Sequence, residues 1–172
     1  MLIGLISDTH IPDRGLKIPE KVFKTFKNVD LILHAGDITS YEIIKELNNI
    51  APTIAVQGNM DRYQNIDLPK SQVITVEDIK IGLIHGEVYP KGDTQQLQYL
   101  AKELNANILV SGHTHIASID QLEKTLLVNP GSPISPRLSD PSVMLMTIEN
   151  NNVDIEVIKI GPPTCSALSF KK

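Results

Sequence analysis

Apolar positions in the first half of the chain fall alternately into short unbroken runs and into stripes at helical spacing. Leu2 to Ile6, Asp30 to Leu33 and Thr53 to Val56 are runs bounded by turn-prone residues, the pattern of buried strands. Between them, Pro19 opens a predicted helix with Val22, Phe23 and Phe26 on one face, leaving Lys21, Lys24 and Lys27 as a solvated face. Thr39 or Ser40 caps a second helix, striped by Ile43, Ile44 and Leu47. Further on, Gln72 to Val76 and Ile79 to Ile84 predict a hairpin turning at Glu77-Asp78. Asp93 or Thr94 caps a helix running through Leu97, Leu100, Ala101 and Leu104. Ile108 to Val110 is another buried strand. Ala117 to Leu122, Thr125 to Val128, Val143 to Ile148 and Val153 to Ile158 follow as short β segments, with Asn150 to Asn152 as a hairpin turn.

Strand–helix alternation that gives way to a meander predicts an α/β protein whose mixed sheet becomes two packed sheets, with helices outside. No internal repeat or interdomain linker interrupts the pattern. Residues 1–160 are expected to form one domain, and 161–172, where periodicity stops, a mobile or partner-docked tail.

Composition narrows the function classes. At 172 residues the chain is long enough to bury a full core. With no Trp and 4% aromatics, that core must come from Ile, Leu and Val. A net charge of -4 gives no electrostatic footprint for long nucleic acid. A small phosphate substrate stays compatible, because bound cations supply local positive charge. Cys165 has no intrachain partner, which fits a reducing compartment. Leu2 to Ile6 is too short for a signal-peptide core and no run reaches the length of a membrane span, so a cytoplasmic protein without membrane contact is expected.

Every histidine lies in an ordered series of motifs: Asp8-Thr9-His10, His34-Ala35-Gly36-Asp37, Gly58-Asn59-Met60-Asp61, His85-Gly86 and Gly112-His113-Thr114-His115. Carboxylate and amide oxygens beside imidazoles suit Mn, Fe or Zn pairs better than a thiolate zinc site. Each motif follows a predicted apolar strand, and strand carboxyl ends in α/β sheets are where ligands gather. Glycines 36, 58, 86 and 112 allow tight turns and close approach at a crowded centre. Taken singly, an Asp-x-His or a buried His85 reads as an ordinary hydrogen-bonded pair or imidazole. The ordered set reads as a metal site.

On these motifs the chain resembles the calcineurin-like metallophosphoesterase superfamily, and within it the compact bacterial and archaeal phosphodiesterases without cap insertions. The likeness runs from Asp8 to the turn Asn129-Pro130-Gly131-Ser132. It implies a four-layer α-β-β-α sandwich for the 1–160 metallophosphoesterase domain, with a dinuclear site at the strand ends. Two divalent metal ions are implied, Mn foremost, with Fe, Zn or Ni as alternatives. By motif position Asp8, His10 and His115 would bind the first metal, Asn59, His85 and His113 the second, and Asp37 would bridge them. A metal-bridging hydroxide would then attack the phosphorus of a small phosphodiester in line.

The sequence departs from this family pattern at two positions. Many relatives carry His where Met60 stands, a residue proposed to protonate the leaving oxygen. His34 is the one histidine without an implied metal. It either donates that proton or positions substrate, with Asp61 as a supporting partner, or simply hydrogen-bonds beside the site. Glu87 stands where relatives often have another His, and would either repel an anionic substrate or point to solvent. Arg62 is a candidate phosphate contact, and Asn129 to Ser132 a turn shaping the site edge.

A second class of function stays open. Asp8-Thr9-His10-Ile11-Pro12, Ile81 to Gly86 and Ser111 to His115 also resemble the small subunit of the retromer sorting complex, a binding module. The resemblance implies that this relative lacks the bridging aspartate and the motif asparagine, both present here as Asp37 and Asn59. Ile11 and Tyr89 would mark a partner surface on such a scaffold, and a protein partner or homo-oligomer remains an alternative.

Overall fold

A computed structural model describes residues 1–161; the expectation for the tail beyond Gly161 lies outside the described residues. The elements are β1 (Leu2–Ile6), α1 (Glu20–Phe26), β2 (Leu31–His34), α2 (Tyr41–Asn48), β3 (Thr53–Ala55), α3 (Asn59–Tyr63) and β4 (Ser71–Val76). They continue with β5 (Ile79–Ile84), α4 (Thr94–Glu103), β6 (Ile108–Val110), β7 (Ala117–Leu122), β8 (Thr125–Pro130), β9 (Ser142–Glu149) and β10 (Asn152–Lys159). One sheet has the order β10-β9-β1-β2-β3 and the other β4-β5-β6-β8-β7. Both are mixed: β1, β2 and β3 are parallel in the first, β5, β6 and β8 in the second, with antiparallel strands beside them.

Alternation along the strands builds the layers. Ile3, Leu5, Leu31 and Leu33 of the first sheet meet Ile81, Leu83, Val110 and Val128 of the second between the sheets. Ile6 and Ile32 point the other way and are covered by Val22 and Phe26 of α1 and Ile43 and Leu47 of α2. Leu97 and Ala101 of α4 cover Leu109 and Leu127 on the far face of the second sheet. The result is the four-layer sandwich, and its interior is Ile, Leu and Val with Phe26 as the largest fully buried side chain.

Local chemistry fixes the element ends. Ser40 Oγ accepts from the Glu42 amide at 3.2 Å, and Asp93 Oδ1 from the Gln96 amide at 2.8 Å, so Ser40 and Asp93 are the caps of their pairs. Pro19 sits one residue before α1. Asn150 and Asn151 both take positive φ (52° and 59°), the requirement of a two-residue type I′ hairpin. The short helix α3 within the Gly-Asn-Met-Asp motif has no apolar stripe to announce it. Its stabiliser is Asp61, whose carboxylate accepts from the Gly58 amide at 2.8 Å. Ile11 corrects the surface reading: it is 6% exposed and packs into the helix-side core, whereas Tyr89 is 87% exposed. No helix among the described residues is long and apolar enough to cross a membrane.

Candidate metal centre

Parallel pairing brings the carboxyl ends of β1, β2 and β3 to one edge, and the stacked second sheet adds those of β5 and β6. Asp8 and His10 follow β1, Asp37 follows β2, Asn59 begins α3 after β3, His85 follows β5, and His113 and His115 follow β6. Five of these seven turn their backbones into the left-handed region: Asp8 (φ 52°), His10 (47°), Asp37 (55°), His113 (69°) and His115 (62°). Non-glycine residues pay about 1–3 kcal/mol each for sparsely populated backbone, and such strain gathers where side chains must be aimed. Two glycines make room. A Cβ on Gly58 would lie 2.2 Å from Asp37 Oδ1 and 2.4 Å from the Asp37 amide nitrogen, and one on Gly112 would lie 2.6 Å from Asp8 Oδ2.

The seven side chains converge as two donor groups. In the first, His115 Nε2 lies 3.3 Å from Asp8 Oδ1 and 3.2 Å from His10 Nε2. In the second, Asn59 Oδ1 lies 3.2 Å from His85 Nε2 and 3.1 Å from His113 Nδ1. Asp37 Oδ2 stands between them, 3.6 Å from His10 Nε2 and 3.4 Å from His85 Nε2. Its other oxygen is anchored by the Met60 amide at 2.7 Å.

The donor chemistry fits cations. His85 Nδ1–H donates to the Ala35 carbonyl at 2.8 Å, and His115 Nδ1–H to the Ser135 carbonyl. Each such bond leaves Nε2 as a lone pair aimed into the cluster. Asp8 Oδ1 is buried there without a hydrogen-bond partner. Lone pairs facing carboxylate and amide oxygens repel one another unless a positive charge lies between them.

Titration behaviour reports the same imbalance. Burial pushes Asp8 up to about 7, and lowers His10 to about 4, His113 to about 4 and His115 as well. Those three imidazoles are therefore neutral, the state a metal ligand needs. Burial also opposes charge on His85, but the hydrogen bond to Asp37 and the charges of Asp8 and Asp37 outweigh it and raise His85 to about 9. Burial likewise works against the Asp37 carboxylate, and contacts to His85 and the Met60 amide hold it down at about 2.

Residues 1–151 match the family model of the calcineurin-like phosphoesterase superfamily domain. The chain belongs to that superfamily. A probable metallophosphoesterase of Methanothermobacter thermautotrophicus is 56% identical over 172 residues, all of both chains. Vacuolar protein sorting 29 (Vps29) of Chaetomium thermophilum has a TM-score of 0.78 at 26% identity, covering 92% of this chain and 95% of that one. A structure described as a novel archaeal phosphodiesterase has a TM-score of 0.71 at 26% identity, covering 92% and 100%.

Around this calcineurin-like site the remaining sequence candidates divide. Asp61 is fully buried, and its two oxygens accept from four backbone amides: Asp37 (2.9 Å), Ile38 (2.8 Å), Thr39 (2.8 Å) and Gly58 (2.8 Å). It ties the Asp37 loop to the start of α3. His34 is also fully buried, with Nε2 3.2 Å from Thr9 Oγ1, between Asp8 and His10 of the first motif, and burial lowers it to about 3. Arg62 and Glu87 engage each other rather than standing apart, Nη1 to Oε1 at 2.8 Å and Nη2 to Oε2 at 2.6 Å. The Asn129 to Ser132 turn holds the loops after β1 and β6: Ser132 Oγ donates to the Asp8 carbonyl at 2.7 Å and Asn129 Nδ2 to the Gly112 carbonyl at 2.7 Å.

Proposed function

We propose that this phosphoesterase is a phosphodiesterase working with two divalent cations, Mn foremost. Asp8, His10 and His115 would hold one, and Asn59, His85 and His113 the other, with Asp37 shared. Bound there, two dications supply Lewis acidity toward phosphoryl oxygens and bring a water to nucleophilic form near neutral pH. The single observation that carries the reading is Asp37 Oδ2, within 3.6 Å of His10 Nε2 and 3.4 Å of His85 Nε2, so that one carboxylate serves both groups.

The protein's own side chains do the rest. The Met60 amide fixes Asp37 Oδ1, so the orientation of Oδ2 is set before substrate arrives. Backbone carbonyls hold the tautomers of His85 and His115. Met60 has no proton to give a departing alkoxide, which favours diesters with good leaving groups. His34 is neutral and enclosed, and its contact with Thr9 suits a positioning role for the Asp8–His10 loop. Asp61, with both oxygens on backbone amides, positions Asp37 and Asn59 in the same way.

The test is turnover of bis(p-nitrophenyl) phosphate and p-nitrophenyl phosphate by protein reconstituted with Mn, Ni, Zn or Mg, beside Asp37→Asn. Faster diester turnover, abolished by Asp37→Asn, is the expected result; turnover with no metal at all would sink the reading. A second reading is a protein-binding scaffold, supported by the likeness to Vps29 and by Tyr89, 87% exposed close to His85 along the chain. It gains if reconstituted protein is inert while Asp37 and Asn59 still bind metal.

A further inference from the structure

The Arg62–Glu87 pair is the most specific polar contact near the centre that metal binding leaves unexplained. Its two parallel hydrogen bonds use the flat guanidinium fork, which matches a carboxylate and a phosphate equally well. The two side chains are 45% and 33% exposed, so the pair is reachable from solvent. Exposed ion pairs are weak enough for an incoming anion to displace one.

Both residues line a cleft of about 270 Å³ together with Gln57, Lys70, Ser71 and His85. His85 is the wall common to this cleft and the second donor group. Lys70 is exposed and has no ion-pair partner among the described residues, so the cleft presents two cations to one carboxylate. That local excess stands out in a chain of net charge -4.

We propose that Arg62 and Lys70 form an anion subsite beside the metal centre, with Glu87 holding Arg62 in place of a second anionic group carried by the substrate. The substrate class is then a phosphodiester bearing an additional phosphate. A singly charged diester offers nothing to displace Glu87 and meets its carboxylate; a second phosphate takes the fork and gains Lys70 as well. This inference rests on the phosphodiesterase reading for its catalytic consequence, but the subsite itself uses no metal ligand for binding.

Matched substrates test it: thymidine 5′-(p-nitrophenyl phosphate) with and without a 3′-phosphate, compared as the ratio of their kcat/KM values. Glu87→Gln should raise the preference for the phosphorylated substrate about tenfold and Arg62→Ala should lower it by a similar factor, with Arg62→Lys between. Parallel changes on both substrates would make the pair a mere brace between α3 and the loop after β5, and overturn the subsite. Titration of pyrophosphate into EDTA-treated protein at low salt separates this failure from failure of the phosphodiesterase reading. Tighter binding to Glu87→Gln and none to Arg62→Ala supports the subsite even if neither diester turns over. Equal binding to all forms, or none to any, refutes it.

Discussion

Replacing Asp61 by Ala isolates how much of the centre depends on backbone organisation. Each Asp61 oxygen accepts two amides, Asp37 and Gly58 on Oδ2, Ile38 and Thr39 on Oδ1. Removing the carboxylate strands four N–H groups in a place with no solvent access, at about 1–3 kcal/mol each when unmet. Water entering the vacated space will satisfy some of them, so the expected loss is about 4 kcal/mol, near the upper end for single substitutions. For a chain of this size that is a fall in Tm of about 8–16 °C. Asp61→Asn keeps one acceptor but turns an NH2 toward two amide donors, and should fall between. The assay is thermal and urea unfolding of metal-free protein, followed by metal affinity of whatever remains folded at low temperature. An Asp61→Ala protein that unfolds within ~2 °C of the parent yet loses turnover would refute the positioning account and place Asp61 in the chemistry.

Three further outcomes follow from the same geometry. Gly58→Ala puts a methyl group 2.2 Å from Asp37 Oδ1 and against Asp37 backbone, so metal affinity by calorimetry should fall at least about tenfold, ~1.4 kcal/mol; unchanged affinity would contradict it. Metal-free protein should lose stability as pH falls from about 6.5 toward 4. Over that window the unfolded chain takes up protons that native His10 and His113 (about 4), His34 (about 3) and the lowered His115 refuse, while Asp8, raised to about 7, and the raised Asp61 oppose them as two groups against four. Urea unfolding at pH 4.5 and pH 6.5 checks the sign, and His34→Gln should flatten the slope by about one proton. Met60→His should raise turnover of alkyl diesters more than of aryl diesters, by about tenfold or more if the imidazole reaches the leaving oxygen; equal change on both would show that no proton transfer was added.

The elements most readable in the sequence are those whose period is set by burial on one face. Ile43 and Leu47 announce α2, and Ser40 caps it as expected because its hydroxyl reaches the Glu42 amide. The donor residues were equally readable, since each closes an apolar strand. Long-range pairing was not: nothing in the local pattern tells that β9 returns to β1, or that β6 lies between β5 and β8. The helix α3 escaped because five residues carry no stripe. The Gly-x-x-Asp spacing that would have signalled it looked like part of a ligand motif instead. The Arg62–Glu87 contact escaped because its partners are 25 residues apart, one on α3 and one in the loop after β5. Asp61 was legible as a site residue, but its four backbone partners were not. Its buried carboxyl is pushed up by burial against the pull of the Thr39, Gly58 and Ile38 amides.

Metal stoichiometry tests the central claim most directly. Purified protein, stripped and then titrated with Mn under calorimetry, with bound metal counted by elemental analysis, should take up two equivalents. Asp37→Asn should take up at most one at the same free Mn, because Asp37 Oδ2 is the atom near both His10 and His85. Two equivalents bound equally well by Asp37→Asn, or a single equivalent in the parent protein, would contradict a shared carboxylate at the heart of the site.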